Sequence, residues 1–380
     1  MKIGIEAQRI FRKKKHGMDY VALELIRNIA KIDLENEYVI FVKPGEDEAC
    51  FSETPNVRIV KISGPYPVWE QFKLAAAAQK EGVQILHCTS NTGPIRCTIP
   101  IVLTLHDIIY MESVSLFKKG FTWYQKLGNM YRRFVVPKVL SNSTKVITVS
   151  EYERKRIADF FGFSFDKVLA IYNGVGNYFN PVSDLIELKR IRLKYNLPEK
   201  FLFFLGNTDP KKNTIGVLKA LSQLYTRGEK YRIPLVMLDY DKDALQKMLS
   251  DIGDPEMIKM IKLAGYVVNT DLPAIYSACS VFLYPSLRES FGIPMIEAMA
   301  SGAPLIASNT SCMPEVAGNA ALYIDPFKPD EITDAIIKLL EDDSLRIELI
   351  QKGFERAKAF SWQKMAEEVI YLYKGILNNN

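Results

Sequence analysis

The sequence predicts an α/β protein built from two doubly wound parallel-sheet domains. Short apolar runs, typical of buried strands, alternate with longer segments whose apolar residues recur at helical spacing. The alternation stops in a polar, proline-containing stretch at residues 176–184 and begins again at Phe201. A length of 380 residues suits two domains of ordinary size. We therefore expect a first domain at residues 1–178 and a second at residues 179–360.

Composition places the chain among ordinary globular proteins. Hydrophobic residues make up 48% and charged residues 24%, and no apolar stretch approaches the ~18 residues that span a bilayer. The start of the chain is a strand pattern without a signal-peptide run, so a cytoplasmic location is expected. The five cysteines include no CxxC pair, which argues against a zinc site or a disulfide scaffold.

Positive charge is concentrated in the first half. Residues 1–180 carry 25 Lys and Arg against 18 Asp and Glu, whereas residues 181–380 carry 24 against 26. Three basic clusters contribute, at residues 9–15, 118–119 and 132–133. No nucleic-acid-binding signature accompanies them, so nucleic acid is not expected as a partner. They favour an anionic membrane at the inner face of the cell or a phosphate-bearing acceptor; the alternative is a set of solvated loop residues.

The first half is expected to alternate strands and helices. Strands are predicted at residues 2–7, 38–42, 57–62, 85–89, 101–105, 145–150 and 167–172, with helices at 19–32, 68–80, 119–141 and from 151. His106 ends a strand at its carboxyl side, where ligands of parallel sheets bind. His87 lies inside a strand and is expected in the core. Gly17 is the glycine available in the loop after the first strand.

The second half restarts the same pattern. Strands are predicted at residues 201–205, 235–238, 261–267, 281–284, 305–307 and 322–324. The loop Gly206-Asn-Thr-Asp-Pro-Lys-Lys-Asn213 follows the first of them and leads into a helix. A lysine at this place is a phosphate site on physical grounds. Asp239 and Asp241 could bind a divalent metal beside a nucleotide sugar, but we interpret them as turn and cap residues.

Residues 281–308 form strand, loop, helix and strand, with two carboxylates framing the loop. Glu289 lies in the loop, and Glu297 lies about one turn into the helix. The N–H groups of residues 291–293 would favour an anion, and Gly292 lets the backbone approach a ligand. Two acids beside an anion site suit hydrogen bonds from hydroxyls, as on a sugar and a ribose. The pattern describes a nucleotide diphosphate sugar; alternatively, the first acid is solvated and the second pairs with a basic neighbour.

The segment Glu289-Ser-Phe-Gly-Ile-Pro-Met-Ile-Glu297, followed by Ala-Met-Ala-Ser-Gly-Ala-Pro, resembles the Glu-x7-Glu motif of retaining family-4 glycosyltransferases of the GT-B fold. The resemblance covers nearly the whole chain and is most specific in the second half. It implies two Rossmann-like domains facing a cleft, the first for the acceptor and the second for the nucleotide sugar. It also implies that a C-terminal helix, residues 361–380, crosses back to the first domain.

The resemblance also implies roles for single residues. Glu289 would face the donor sugar, and Glu297 would bond the ribose. Lys212 would contact the diphosphate, and His106 would bond the donor sugar. Asn207 departs from the family pattern, because many relatives carry Arg there. Together with Glu297, the residues expected to bind the donor are Gly17, Gly206, Asn207, Lys211, Ser290, Phe291, Gly292 and Ile293.

The implied activity is transfer of a sugar from a nucleotide diphosphate sugar to a saccharide or lipid-linked acceptor. It would proceed with retained anomeric configuration, without metal or cofactor, in surface polysaccharide biosynthesis. No GxGxxG follows the first strand and no GxxxxGK[ST] occurs, so an NAD enzyme and a P-loop ATPase are unsupported. Two alternatives stay open: a sugar-nucleotide epimerase of the same fold, and a catalytically weak nucleotide-sugar-binding subunit, which the Asn207 departure favours.

Overall fold

The computed structural model describes residues 1–112 and 123–378 of the chain. Their contacts divide the chain into two units. Unit 1 is Met1–Gly174 together with Trp362–Asn380, and unit 2 is Val175–Ser361. The basic pair at residues 118–119 lies outside the described residues.

Strands and helices alternate along the described residues. The strands are β1 Lys2–Glu6, β2 Glu37–Val42, β3 Val57–Lys61, β4 Ile85–Cys88, β5 Ile101–Thr104, β6 Lys145–Thr148, β7 Val168–Ala170, β8 Leu202–Phe204, β9 Leu235–Met237, β10 Ile261–Leu263, β11 Val281–Tyr284, β12 Leu305–Ser308 and β13 Leu322–Ile324. The helices are α1 Gly17–Ile32, α2 Tyr66–Val68, α3 Ala75–Glu81, α4 Ile109–Glu112, α5 Trp123–Asn142, α6 Glu151–Phe161, α7 Leu185–Tyr195, α8 Thr214–Thr226, α9 Lys242–Asp251, α10 Leu272–Ala278, α11 Ile293–Ala300, α12 Met313–Ala317, α13 Pro329–Glu341, α14 Asp343–Ala357 and α15 Trp362–Asn378.

Each unit is organised around one parallel sheet. In the described part of unit 1 the strand order is β3-β2-β1-β4-β5-β6-β7, and in unit 2 it is β10-β9-β8-β11-β12-β13. Every pairing between these strands is parallel. The predicted class, α/β with two Rossmann-like parallel-sheet units, is confirmed. Strand order reverses between β1 and β4 in unit 1 and between β8 and β11 in unit 2. Ligands of open α/β sheets bind in the crevice outside the carboxyl ends of such a strand pair.

The C-terminal helix α15 completes the core of unit 1. It packs against α1, and Tyr373 on its buried face reaches the sheet, where its hydroxyl lies 2.5 Å from Nδ1 of His87. The other ring nitrogen, Nε2, lies 2.7 Å from Oγ1 of Thr104. Burial lowers the pKa of His87 to about 3, so the ring is neutral at physiological pH. The prediction that His87 belongs to the core is confirmed.

Three elements differ in detail from the sequence expectation. The helix expected from residue 19 begins at Gly17, which is its first residue. The segment expected as one helix at residues 68–80 contains a wider, π-helical turn at Trp69–Leu74. The helix after the two-carboxylate loop begins at Ile293, so Pro294 stands second in it. Within the part of the chain that the structure describes, no helix combines the length and apolar character needed to cross a membrane.

Replacing Tyr373 by Phe should weaken unit 1. The change removes only the hydroxyl, and it leaves Nδ1 of the buried His87 without this partner. We expect a loss of about 1–2 kcal/mol in the free energy of unfolding, measured by urea denaturation. Tyr371→Phe on the same helix is the matched control, because the Tyr371 side chain is 80% exposed. Equal unfolding midpoints for the two variants would contradict the role given to this hydrogen bond.

Candidate functional site

The candidate site of unit 2 lies where two loops meet at the carboxyl ends of β8 and β11. These strands are neighbours in the sheet, so the loops that follow them, residues 205–213 and 285–292, begin side by side. A backbone hydrogen bond joins the loops, because the N–H of Leu287 donates to the carbonyl of Lys211 over 2.7 Å. The strand-order reversal therefore brings together two sequence segments that are about 80 residues apart.

A buried ion pair links the same two loops. Nζ of Lys212 lies 2.6 Å from Oε1 of Glu289, and the two side chains are only 16% and 11% exposed. Nζ also lies 5.2 Å from the centre of the Tyr284 ring, whose hydroxyl is buried. Burial, together with the negative charge of Glu289, raises the pKa of Tyr284 well above its usual range. The two residues that the sequence assigned to sugar and diphosphate are thus in direct contact.

Asn213 holds the first loop against the sheet. Its backbone is left-handed, with φ of 60°, a conformation that Asn adopts more readily than most residues. Its buried side-chain amide donates to the carbonyls of Pro285, over 3.1 Å, and Pro326, over 2.7 Å. One side chain therefore ties together the chain segments that follow β8, β11 and β13. The sequence analysis missed this residue, although an Asn directly before a helix is a recognisable signal for such a turn.

The rest of the first loop is shaped by small local contacts. A Cβ on Gly206 would lie 2.2 Å from the ring of Phe204, so only glycine fits this backbone path. The carbonyl of Asn207 accepts from the hydroxyl of Thr214 over 3.0 Å, and its side-chain oxygen accepts from the N–H of Asp209 over 2.9 Å. Asn207 thus builds the turn itself.

Lys211, one of the residues expected to bind the donor, has its Nζ 3.8 Å from Oδ2 of Asp209. The Lys211 side chain is 38% exposed, against 16% for Lys212. Of the two adjacent lysines, the structure therefore brings Lys212, and not Lys211, into the ion pair with Glu289.

The second loop is held by residues that follow β12. The hydroxyl of Ser311 donates to the carbonyl of Glu289 over 2.5 Å and accepts from its N–H over 3.2 Å. The thiol of Cys312 lies 3.2 Å from the same carbonyl and 3.3 Å from that of Phe291. Ser311 has a positive φ of 57°. These contacts fix the backbone of Glu289, and no sequence pattern pointed to them.

The helix α11 begins directly after this loop. Gly292 precedes it with φ of 94°, and a Cβ there would lie 2.7 Å from the terminal methyl of Met295. Phe291 is buried, and its ring packs on that of Phe360 at 5.7 Å. Pro294 has no N–H, and that of Met295 donates to the carbonyl of Gly292 over 2.9 Å, so the N–H groups expected to favour an anion are those of residues 291–293. The predicted donor residues Ser290–Ile293 therefore form the turn that leads into the helix.

Glu297 lies farther along α11. Its Oε2 accepts a hydrogen bond of 3.1 Å from the hydroxyl of Tyr276, whose ring packs against Phe203 and Phe282 at 5.3 and 5.1 Å. Burial raises the pKa of Glu297 to about 7, although the hydrogen bond from Tyr276 opposes this. The alternative prediction paired Glu297 with a basic neighbour, whereas the partner that the structure describes is the hydroxyl of Tyr276. Glu297 is poised to accept hydrogen bonds when ionised.

The two other predicted donor residues, His106 and Gly17, belong to unit 1. His106 is buried beyond the end of β5, with Nε2 3.1 Å from the carbonyl of Thr89 and its backbone N–H bonded to Asn91. Burial lowers the pKa of His106, and a neutral ring that donates from Nε2 keeps Nδ1 as an acceptor. Gly17 is exposed, and a Cβ there would meet nothing within 4 Å, so its backbone does not require glycine. The roles of both residues stay predictions.

The Asp-x-Asp segment has the structural role that was expected. Oδ1 of Asp241 accepts from the N–H of Ala244 over 2.7 Å and caps α9. Asp239 donates its backbone N–H to the carbonyl of Gly265. Among the residues that the structure describes, no group of three or more His, Cys, Asp or Glu side chains is placed to hold a metal ion.

Comparison with known sequences gives consistent matches over both halves of the chain. The model of the glycosyl transferases group 1 matches residues 186–356, and that of glycosyltransferase family 4 matches residues 16–176. The chain is 34% identical over 276 residues to the O-antigen chain mannosyltransferase B of Escherichia coli, covering 72% of this chain and 70% of that protein. It is 27% identical over 256 residues to the mannosyltransferase WbdA of Escherichia coli, covering 66% of this chain but 31% of WbdA.

Solved structures match over nearly the full length. Sucrose-phosphate synthase from Thermosynechococcus elongatus superposes with a TM-score of 0.74 at 19% identity, and both chains are covered completely. HepE from Anabaena, solved in complex with UDP, gives a TM-score of 0.74 at 16% identity, with 99% of this chain and 100% of that chain covered. At such identities the likeness concerns the fold.

Proposed function

The chain belongs to the glycosyltransferases, with a group 1 domain in its second half and a family 4 domain in its first, and on that premise we propose its donor, acceptor and chemistry. The donor is a nucleotide diphosphate sugar bound by unit 2, and the sugar is mannose, as in the names of the two Escherichia coli mannosyltransferases. The acceptor is a saccharide or a lipid-linked saccharide of a surface polysaccharide. The anomeric configuration is retained.

The contact between Lys212 and Glu289 at the junction of β8 and β11 is the observation that carries this proposal. In the ligand-free site each charge neutralises the other. A diphosphate competes with the carboxylate for Lys212, and a sugar offers hydroxyl donors to the carboxylate in exchange. A ligand that has both an anion and hydroxyls therefore compensates both charges, whereas a simple anion would leave Glu289 unpaired at a cost.

Lys212 and the start of α11 meet the main demand of the reaction. As the glycosidic bond breaks, negative charge develops on the leaving diphosphate. A lysine and preorganised backbone N–H groups stabilise that charge in a site from which water is largely excluded. These groups can replace a divalent cation, so the proposed reaction requires no metal and no cofactor besides the donor.

The two glutamates orient the rest of the donor. Glu289, fixed through its backbone by Ser311, accepts from sugar hydroxyls. Glu297 accepts from the ribose, with the Tyr276 hydroxyl as its second contact. We assign Glu289 to hydrogen bonds with the sugar and not to covalent attack. The leaving phosphate accordingly accepts the proton of the acceptor hydroxyl on the same face from which that hydroxyl attacks.

Transfer assays with a panel of donors test the proposal directly. The protein is incubated with GDP-, UDP- and ADP-activated mannose and glucose and with a mannose-terminated saccharide, with and without EDTA. We expect transfer of mannose, unaffected by EDTA, and a product whose anomeric configuration in NMR spectra is that of the donor. An inverted product or a metal requirement would contradict the mechanism. Donor epimerised without acceptor, or bound without transfer, would support the two alternatives.

Replacing Lys212 by Ala should lower turnover by about 10²- to 10³-fold, because one preorganised donor to the leaving group is lost. The measurement is initial rate at saturating donor and acceptor. Lys219→Ala is the matched control, because this lysine is exposed on α8. Unchanged turnover in the Lys212 variant would contradict its role.

The same change leaves Glu289 without its ion-pair partner and so lowers the free energy of unfolding. Such a loss is about 3–5 kcal/mol for a fully buried pair, and it should be smaller here because both side chains keep some exposure. The double variant Lys212→Ala, Glu289→Gln separates the two effects. It should recover much of the lost stability in thermal melts without recovering turnover.

Donor binding should depend on pH through Glu297. Its pKa is raised to about 7, so the carboxyl is protonated below that pH and loses its capacity to accept the ribose hydroxyls. If only the ionised form binds, the dissociation constant of the nucleotide sugar at pH 6 should be about tenfold larger than at pH 8. Calorimetry at both values measures it. In Glu297→Gln this dependence should disappear, and a persistent pH dependence in that variant would point to another group.

A further inference from the structure

A cavity lies in unit 1, and His16 and Met18, the neighbours of Gly17 in the chain, are part of its lining. Its volume is about 720 Å³, which is within the range of small-molecule sites. It opens among the loops that follow β1, β2 and β3 and the first half of α5. The residues of its lining used below are Arg9, Arg12, Lys43, Tyr66, Leu127 and Arg132.

The lining of the cavity is positively charged. Arg12, Lys43 and Arg132 have no carboxylate partner within the part of the chain that the structure describes, and no acidic residue is found among the described residues that line the cavity. Arg132 instead lies over the ring of Tyr110, 5.5 Å from its centre. The neighbouring Lys15, which does not line the cavity, is paired with Asp47. Three cations around one concave surface favour an anion with more than one charge.

Two tyrosines that line the cavity, Tyr66 and Tyr131, are held in place by a buried carboxylate. The buried Glu70 accepts hydrogen bonds from the hydroxyls of Tyr66, over 2.7 Å, and Tyr131, over 2.6 Å. The guanidinium of Arg9 lies over the Tyr66 ring, 5.4 Å from its centre. Buried carboxylates, including Glu6, act electrostatically on Arg9. The charge of Arg9 is therefore partly used within the protein, and the other three cations remain for a ligand.

An apolar surface continues from the mouth of the cavity. Leu127 lines the cavity, and Met130 and Phe134 follow it on α5 at the spacing that places residues on one helix face. Their side chains are 57%, 56% and 61% exposed. Nζ of Lys138 lies 3.3 Å from the centre of the Phe134 ring. The helix thus presents an apolar strip with positive charge at its border, next to the cationic cavity.

We propose that this cavity binds the diphosphate of an acceptor that carries an apolar chain. The diphosphate lies against Arg12, Lys43 and Arg132, and the chain follows the strip from Leu127 to Phe134. That the ligand is the acceptor rests on the proposed function; that an apolar diphosphate ester binds here rests on the cavity itself.

Calorimetry with three probes tests the proposal: undecyl diphosphate, inorganic diphosphate and undecyl maltoside. Undecyl diphosphate should bind at least about tenfold more tightly than either of the others, since it alone engages both surfaces. Removing one guanidinium that bonds a phosphate should weaken its binding about tenfold, so Arg12→Gln and Arg132→Gln are made singly and together. Rising salt should weaken binding to the wild type. Lys31→Gln, an exposed lysine on α1, is the charge-matched control.

Lys212→Ala separates this site from the donor site. Binding of undecyl diphosphate should be unchanged in that variant, and this holds even if the donor assignment fails. Loss of binding in Lys212→Ala alone, or equal affinity of the double arginine variant and the wild type, would overturn the proposal. Equal affinities for inorganic and undecyl diphosphate would overturn the apolar part and indicate a free phosphate ligand. Thermal melts of each variant establish that it is folded.

Discussion

A largely buried ion pair between Lys212 and Glu289 is the interaction on which the proposed donor site depends. It joins two loops that start at neighbouring strands, and it keeps each loop's charge compensated when no ligand is present. Because both partners are largely buried, neither can be left alone without a free-energy cost. Under the proposed function the pair selects its ligand, since a molecule that supplies an anion for the lysine and hydroxyls for the carboxylate compensates both charges.

A ligand can replace the ion pair in this way only if the two loops that carry Lys212 and Glu289 are held in place by other contacts. Asn213 holds the lysine loop through carbonyls that follow β11 and β13, and Ser311 holds the glutamate loop through the backbone of Glu289 itself. Neither contact uses the side chain of Lys212 or Glu289. When a ligand separates the pair, the loops need not rearrange, because their positions are set by the sheet and by these neighbouring segments.

The sequence was sufficient for the parallel-sheet architecture, because buried strands and amphipathic helices have distinct periods. It also pointed to Lys212 and Glu289, each in a loop after a strand, and their roles toward a donor stay predictions. It did not show that they touch, because their proximity follows from β8 and β11 being adjacent, which is a property of strand order. Asn213 and Ser311 were missed for a similar reason: their partners lie more than 20 residues away in the chain. The phosphate role of Gly17 stays a prediction, because the local backbone, which does not require glycine there, neither supports nor excludes it.

The two parts of unit 1 are separated in the chain by the whole of unit 2. Helix α15, which packs on α1 and places Tyr373 on His87, follows unit 2 in the chain. During translation the first part of unit 1 is therefore made well before the helix that covers it, whereas the residues of unit 2 form one continuous segment. Because domains generally fold as units during synthesis, a nascent chain that stops before residue 362 would contain every residue of unit 2 but leave the apolar face of α1 uncovered.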